Sequence, residues 1–377
     1  MINCFKFILF FWLVTPLIAV AKPIDIKVLY LKKLQSVVIN NDASSPESPV
    51  IAVNNSEAFK SALSIANKNG NTKIKLKPGL YTLDKPLVIN APNIHIYGES
   101  SQPFSTVISG QGMKQTAGVD NLINVNASGF SLHGVTLKNV GNHLVQIRGE
   151  FGASNITIKN VVFQDSYEQL LKSSSNSKNL SVTSDNVVIE NCLFWYSKGI
   201  GPNWYIGGID AHVAHNWRIN NNVFANIASP GKHIAEHAIH LWNNSQNNTV
   251  EDNVILNSDR GIGFGMRKGP WSGKLNAQGG KIKGNVIYHD KVKEHPYADV
   301  GIIVEDTIDT QIVGNVILLN HHYPNAIELR FKPTTGIWVE GNISNKRFTL
   351  RGGSQGVFNG NVTNEKLTKD LIKSYLD

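Results

Sequence analysis

Apolar and polar residues alternate with period two along most of the chain, and the alternation restarts again and again. The segments ITIKNVVF, VVIENCLF, WRINNNVF, TVEDNVIL, KIKGNVIY, QIVGNVIL and IWVEGNIS share one outline. Each has an apolar residue, a variable one, then Asn, Asp or Gly, then a short, mostly apolar run. With the third position placed at Gly134, Asn160, Asn191, Asn221, Asp252, Gly284, Gly314 and Gly341, the intervals are 26, 31, 30, 31, 32, 30 and 27 residues. Alternation marks half-buried strands, and Asn, Asp and Gly tolerate the left-handed backbone of a tight bend. A second set of strands follows at variable distance: GGIDAH, HAIHLW, RGIGFG, VGIIVE, NAIELR and KRFTLR. One such unit cannot hide its apolar face, whereas stacked copies bury a continuous interior.

The pattern predicts an all-β solenoid over residues 73–363, with Asn160, Asn191 and Asn221 stacked as a side-chain amide ladder. Helical spacing appears at its margins. SEAFKSALSIANKNG predicts a capping helix within residues 56–72, with Ser56 as its N-cap, and residues 364–377 a cap at the other end. Such caps shield core and unpaired strand edges. Propeller blade signatures and leucine-rich spacing are both missing.

This outline resembles the right-handed parallel β-helix of the pectate-lyase-like superfamily, and LKPGLY (76–81) is similar to that superfamily's first strand and turn. The resemblance implies a carbohydrate-active protein, since the superfamily consists largely of lyases on acidic polysaccharides, with hydrolases, epimerases and esterases among them. Fold alone does not fix function.

A solenoid turns spacing into a map. If Ile209, Ile239, Ile262, Ile302 and Ile327 point inward, the residues one and three further on face outward. The first outward column is then Asp210, His240, Gly263, Ile303, Glu328, and the second His212, Trp242, Gly265, Glu305, Arg330, with Lys172 below and Arg351 above. Neighbouring rungs lie about 4.8 Å apart, so Asp210 should adjoin His240, and Glu305 should adjoin Arg330. Gly263 and Gly265 read as a gap for part of a sugar ring, with Trp242 as a stacking platform, or else as relief of crowding beneath the loop 266–278.

Composition adds a compartment. Residues 1–21 carry one lysine, a long apolar stretch and the small-x-small pattern Ala19-Val20-Ala21, which predicts a cleaved signal peptide, with residues 22–55 as an N-terminal segment. The mature protein is therefore expected in the periplasm or outside the cell, without a membrane span. Cleavage removes Cys4 and leaves Cys192, which excludes a disulfide framework. The formal charge of +8 falls to +7 with the loss of Lys6. A basic exported protein suits a polyanion, here an acidic polysaccharide rather than nucleic acid, bound by a monomer.

The chemistry expected of this wall is β-elimination on a uronate. That reaction needs a base, an acid for the departing oxygen, and a cation for the carboxylate. His240 oriented by Asp210 is the candidate base, Tyr205 the acid, and Arg267 or Arg330 the cation. Lys172, His212, Trp242, Gly263, Gly265, Glu305 and Glu328 are candidate substrate contacts. YEQLLKSSSN, with Glu168 and Lys172, is similar to the Lys-Ser-Ser segment of the alginate and chondroitin lyases of this fold, but Asp210 and His212 stand where those enzymes place an arginine on the next coil. No calcium is transferred on that match, and no cofactor is assigned, although Asp210, His212 and His240 have metal-ligand chemistry. A hydrolase would use Glu305 and Glu328, ~8 Å apart on adjacent rungs and suited to inversion. A non-catalytic polysaccharide-binding solenoid is the third reading.

Overall fold

The computed structural model describes residues 24–35, 48–114, 118–267 and 276–376. The expected signal peptide, and the loop from 268 to 275, lie outside them. Strands stack into three long sheets of twelve, eleven and ten strands, here sheets A, B and C, and a five-stranded sheet D. All pairings among the described residues are parallel, and each strand pairs with its counterpart one coil away. One coil runs from Thr157–Lys159 in sheet A, through a bend, to Val162–Ser166 in sheet B, then by a loop to Leu171–Ser174 in sheet C.

The bends adopt the predicted conformation: φ is 53° at Asn160, 55° at Asn191, 57° at Asn221 and 53° at Asp252. The amide ladder, however, stands one residue further on. Asn222, Asn253, Asn285, Asn315 and Asn342 are fully buried, and each of the first four donates from its side-chain amide to the next Asn side-chain oxygen at 2.8–3.0 Å. The residue at the bend turns its side chain to the outer rim, as Asn221 does when it donates to Asn191 Oδ1 at 2.5 Å. The next residue faces inward, where a buried amide must find partners.

The five anchor isoleucines are all fully buried. Beside them Phe163, Phe194 and Phe224 stack with ring centroids 4.3 and 4.7 Å apart. The capping helix spans Ser56–Asn69. Its N-cap is Asn55 rather than Ser56: the Asn55 side chain accepts from Ala58 N, and Gly70 closes the other end.

Sheet B carries a second apolar layer on its outer face, formed by Val162, Leu193, Trp195, Val223, Leu256 and Leu318. A helix at Ile26–Gln35, not predicted from sequence, buries Leu29, Tyr30 and Leu34 against it. The C-terminal helix Lys369–Leu376 joins this layer through Ile372. Its anchor thus lies on the flank of the solenoid, while Leu350 and Phe358 on the last coil stay 46% and 36% exposed.

Candidate active site on the wall of sheet C

Pairing in sheet C reproduces the expected first column, and the second except at Gly265, which lies beyond the strand Arg260–Phe264. Lys172 pairs with Asp210, Asp210 with His240, His212 with Trp242, His240 with Gly263, Ile303 with Glu328, and Glu305 with Arg330. The strands responsible are Leu171–Ser174, Ile209–His212, His237–Trp242, Arg260–Phe264, Ile302–Glu305 and Asn325–Arg330. Their outward residues form two separate clusters.

The lower cluster centres on Asp210, only 5% exposed. Its carboxylate makes a close ion pair with the Lys172 ammonium and accepts from Trp242 Nε1 at 2.6 Å. Burial pushes the Asp210 carboxyl up, but Lys172, His212 and His240 together hold it well below the usual range. Burial likewise opposes the Lys172 charge, and the Asp210 carboxylate outweighs it and keeps the ammonium protonated. Burial and the nearby Lys172 press His212 down to about 3 and His143 to about 4, so both are neutral at pH 7.

Asp210 does not orient His240 by a hydrogen bond, because Nδ1 is 3.8 Å from Oδ1. The ring is held by Nε2–H donating to the Gly265 carbonyl at 3.0 Å and by a parallel stack on Trp242, with centroids 5.4 Å apart. With the proton on Nε2, Nδ1 carries the lone pair. Trp242 is therefore a structural partner of Asp210 and His240 as much as a platform facing solvent.

Neither glycine leaves a gap. A Cβ at Gly263 would stand 2.8 Å from His237 Nε2 and 3.0 Å from His240 Cδ2, so the space is filled by two imidazoles. Gly265 has φ +71°, and its Cβ would fall 1.9 Å from the Glu305 carbonyl oxygen, which assigns it to the turn. His237, which the sequence places in the flanking loop SPGKHIAEH, opens the strand His237–Trp242, where strict alternation would point it inward with Ile239. Its ring instead swings over Gly263, because alternation fails at the first residue of a strand leaving a loop.

The upper cluster is closed on itself. Arg330 bonds Glu305 at 3.0 Å and pairs closely with Glu328. Glu328 is fully buried, accepts from Tyr323 Oη at 2.6 Å and Asn325 Nδ2 at 2.5 Å, and meets Arg351 at 3.1 Å. Burial raises the Glu328 carboxyl, yet the hydrogen bonds from Tyr323 and Asn325, and then Arg330, bring it below its ordinary value. Arg267 donates its backbone N–H to Glu305 at 2.9 Å and lays its guanidinium over Phe331. Both arginines expected to serve the substrate thus belong to this cluster, and Glu305 and Glu328 are tied to Arg330 rather than presented as a free pair of acids.

Tyr205 stays with the lower cluster. It is 40% exposed and acts electrostatically on Lys172. With Tyr167, Glu168, Asn203 and Trp204 it lines a shallow cavity of about 340 Å³. Glu168 also approaches His143 at 3.6 Å. A second depression, lined by Lys281, Lys283, Gln311, Trp338 and Glu340, lies on sheet A, away from these groups.

For a metal, the trio of Asp210, His212 and His240, to which no ion was assigned from sequence, has an ammonium bonded to its carboxylate. Among the described residues, Glu236, His237 and His240 instead bring one ligand atom each within 4.8 Å of the others.

Comparison with known structures decides the architecture. A glycoside hydrolase aligns over 87% of this chain and 98% of its own, with TM-score 0.63 and 9% identity. An alginate lyase from Paenibacillus sp. str. FPU-7 aligns over 82% of this chain and 99% of its own, with TM-score 0.58 and 15% identity. The fold is the right-handed parallel β-helix. The tailspike protein of E. coli bacteriophage HK620, solved with a pentasaccharide, shares it at TM-score 0.53 and 14% identity, with 82% of this chain matched to 63% of the tailspike. No protein-family profile and no curated protein matches the sequence.

Proposed function

We propose that the protein is an exported polysaccharide lyase that cleaves a uronate-containing polymer by β-elimination at the lower cluster of sheet C. The observation that carries this reading is the juxtaposition of a fixed cation, Lys172, with the His240 imidazole, whose Nε2–H is held by the Gly265 carbonyl and whose Nδ1 lies 3.8 Å from the Asp210 carboxylate. Lys172 takes the cationic role first expected of Arg267 or Arg330. In the step itself, His240 Nδ1 takes the proton from the carbon beside the sugar carboxylate. That electron pair forms the new C=C bond as the glycosidic C–O bond breaks, and Tyr205 gives its hydroxyl proton to the departing oxygen. Asp210 then stabilises the new imidazolium, and Lys172 the charge gathering on the carboxylate.

His240 is only 3% exposed in the free chain, so side chains around it must yield as the polymer enters. Known structures of the same fold, an alginate lyase among them, support the substrate class without fixing it. The hydrolase reading is weakened by the engagement of Glu305 and Glu328 with Arg330.

The test is incubation with a panel of uronate polymers, following ultraviolet absorbance of the unsaturated product. The expected result is absorbance that is lost in Lys172→Met and in His240→Ala. New reducing ends without absorbance would replace elimination with hydrolysis, and binding with neither would make the solenoid a lectin-like module.

A further inference from the structure

His237 opens the strand His237–Trp242 of sheet C. The residue is 6% exposed, and neither ring nitrogen has a hydrogen-bond partner. Leaving a buried imidazole unsatisfied costs free energy unless something fills the site. The ring is not left loose, because it is clamped between Gly263, whose missing side chain makes its room, and His240, at a centroid separation of 4.4 Å. Glu236, immediately before it and partly exposed, completes the group whose ligand atoms lie within 4.8 Å of one another.

We propose that Glu236, His237 and His240 form a binding site for a divalent transition-metal ion of the Zn²⁺ class. Two imidazoles and one carboxylate are borderline donors that favour such ions over Ca²⁺, which takes oxygen ligands. His240 is already prepared for the role: its Nε2–H is held by the Gly265 carbonyl, the outer-shell contact that fixes a ligating histidine's tautomer, and Nδ1 is left to bind. A tetrahedral ion needs donors about 3.3 Å apart, so the group must contract from its present spacing. Glu236, at the mouth of a loop, is the member free to supply most of that movement. A fourth position remains for water or a substrate oxygen.

The consequence for activity rests on the elimination reading, because that reading and the metal need the same nitrogen. An ion on His240 Nδ1 removes the base, so the site is an inhibitory one through which Zn²⁺ switches the wall off.

Binding is measured first and without substrate. The mature protein is dialysed against Zn²⁺, its metal content is determined, and Co²⁺ is titrated in while the visible absorption of a tetrahedral centre is followed. Expected are one equivalent of metal, no competition from Ca²⁺, affinity about 10- to 100-fold weaker in Glu236→Gln, and none in His237→Gln. Glu236→Gln is near-isosteric at a partly exposed position and keeps the test valid if His237→Gln misfolds. Failure to take up stoichiometric Zn²⁺, or equal uptake by the wild type and Glu236→Gln, overturns the site. Activity is read second: Zn²⁺ should suppress elimination, and a chelator should restore it. Metal uptake without elimination on any polymer would uphold the site and sink the lyase reading. Elimination unaffected by bound Zn²⁺ would overturn the inhibitory role.

Discussion

The two clusters on sheet C share the same columns and similar residue types, yet they are opposites in how their polar groups are satisfied. In the upper cluster every carboxylate has a partner: Glu305 and Glu328 with Arg330, Glu328 also with Arg351, Tyr323 and Asn325. In the lower cluster one ion pair, Lys172 with Asp210, stands among histidines of which His143 and His212 are neutral at pH 7, and His212 Nε2 and both His237 nitrogens make no hydrogen bond. A saturated network stabilises structure, whereas buried nitrogens kept without partners mark a place prepared for something else. Residue types alone therefore overstate the upper cluster as a site and understate the lower.

The largest test pairs Lys172→Met with Arg330→Met. Lys172→Met strands the buried Asp210 carboxylate and should lose about 3–5 kcal/mol in denaturant unfolding, whereas Arg330→Met leaves Glu328 with Arg351, Tyr323 and Asn325 and should lose less. Only Lys172→Met should also lower kcat/KM by about 100-fold or more, with Arg330→Met within a few-fold of wild type. Equal loss of activity in both would erase the distinction between the clusters.

Acid should separate them next. His143 and His212 have folded pKa values of about 4 and about 3, below the ordinary 6.5, so the unfolded chain binds protons that the folded one refuses. Their contribution is complete above pH 6.5 and is lost as pH falls toward 4 and then 3, at about 1.4 kcal/mol per pH unit for each histidine. Glu328, whose folded value is lowered from 4.5, gives up its contribution only as pH falls below 4.5. Melting temperature measured against pH should therefore begin to fall near 6.5, and the double variant His143→Gln, His212→Asn should make the fall shallower down to 4.5, with His289 and His321, held at about 3 and about 4, among the histidines supplying the rest.

Smaller effects refine the contrast. Trp242→Phe removes the donor to Asp210 and should cost about 1.5–3 kcal/mol, the range for a hydrogen bond to a charged group. Glu305→Gln removes one charge from a largely buried contact of Arg330 but keeps an acceptor there, and should cost about 1 kcal/mol. If Glu305→Gln proved the more damaging, the upper cluster would depend on Glu305 more than its geometry indicates.

Much of this was legible in the letters. Period two, anchored on Ile209, Ile239, Ile262, Ile302 and Ile327, predicts who neighbours whom across six strands of sheet C, because a one-residue slip would expose the whole interior. Burial is a different matter. Glu328 is outward as expected but covered by Tyr323 from the preceding loop, and alternation carries no information about what a loop folds over. His237 opens its strand straight from a loop, and alternation likewise says nothing of where its ring settles. The helix Ile26–Gln35 did leave a trace: the strands of CLFW, NVFA and NVIL are apolar on both faces, and a sheet needs apolar residues on its outside only if something packs there.

That helix also has a clock built into it. The Tyr30 hydroxyl bonds the carbonyl of Asn191, 161 residues further along, and the strip beneath the helix is assembled from strands as late as Leu318. A chain that emerges N-terminus first exposes these apolar residues long before their seat exists. Coils can close one upon the next from local contacts, but this segment must wait, so its docking reports that the stack is complete.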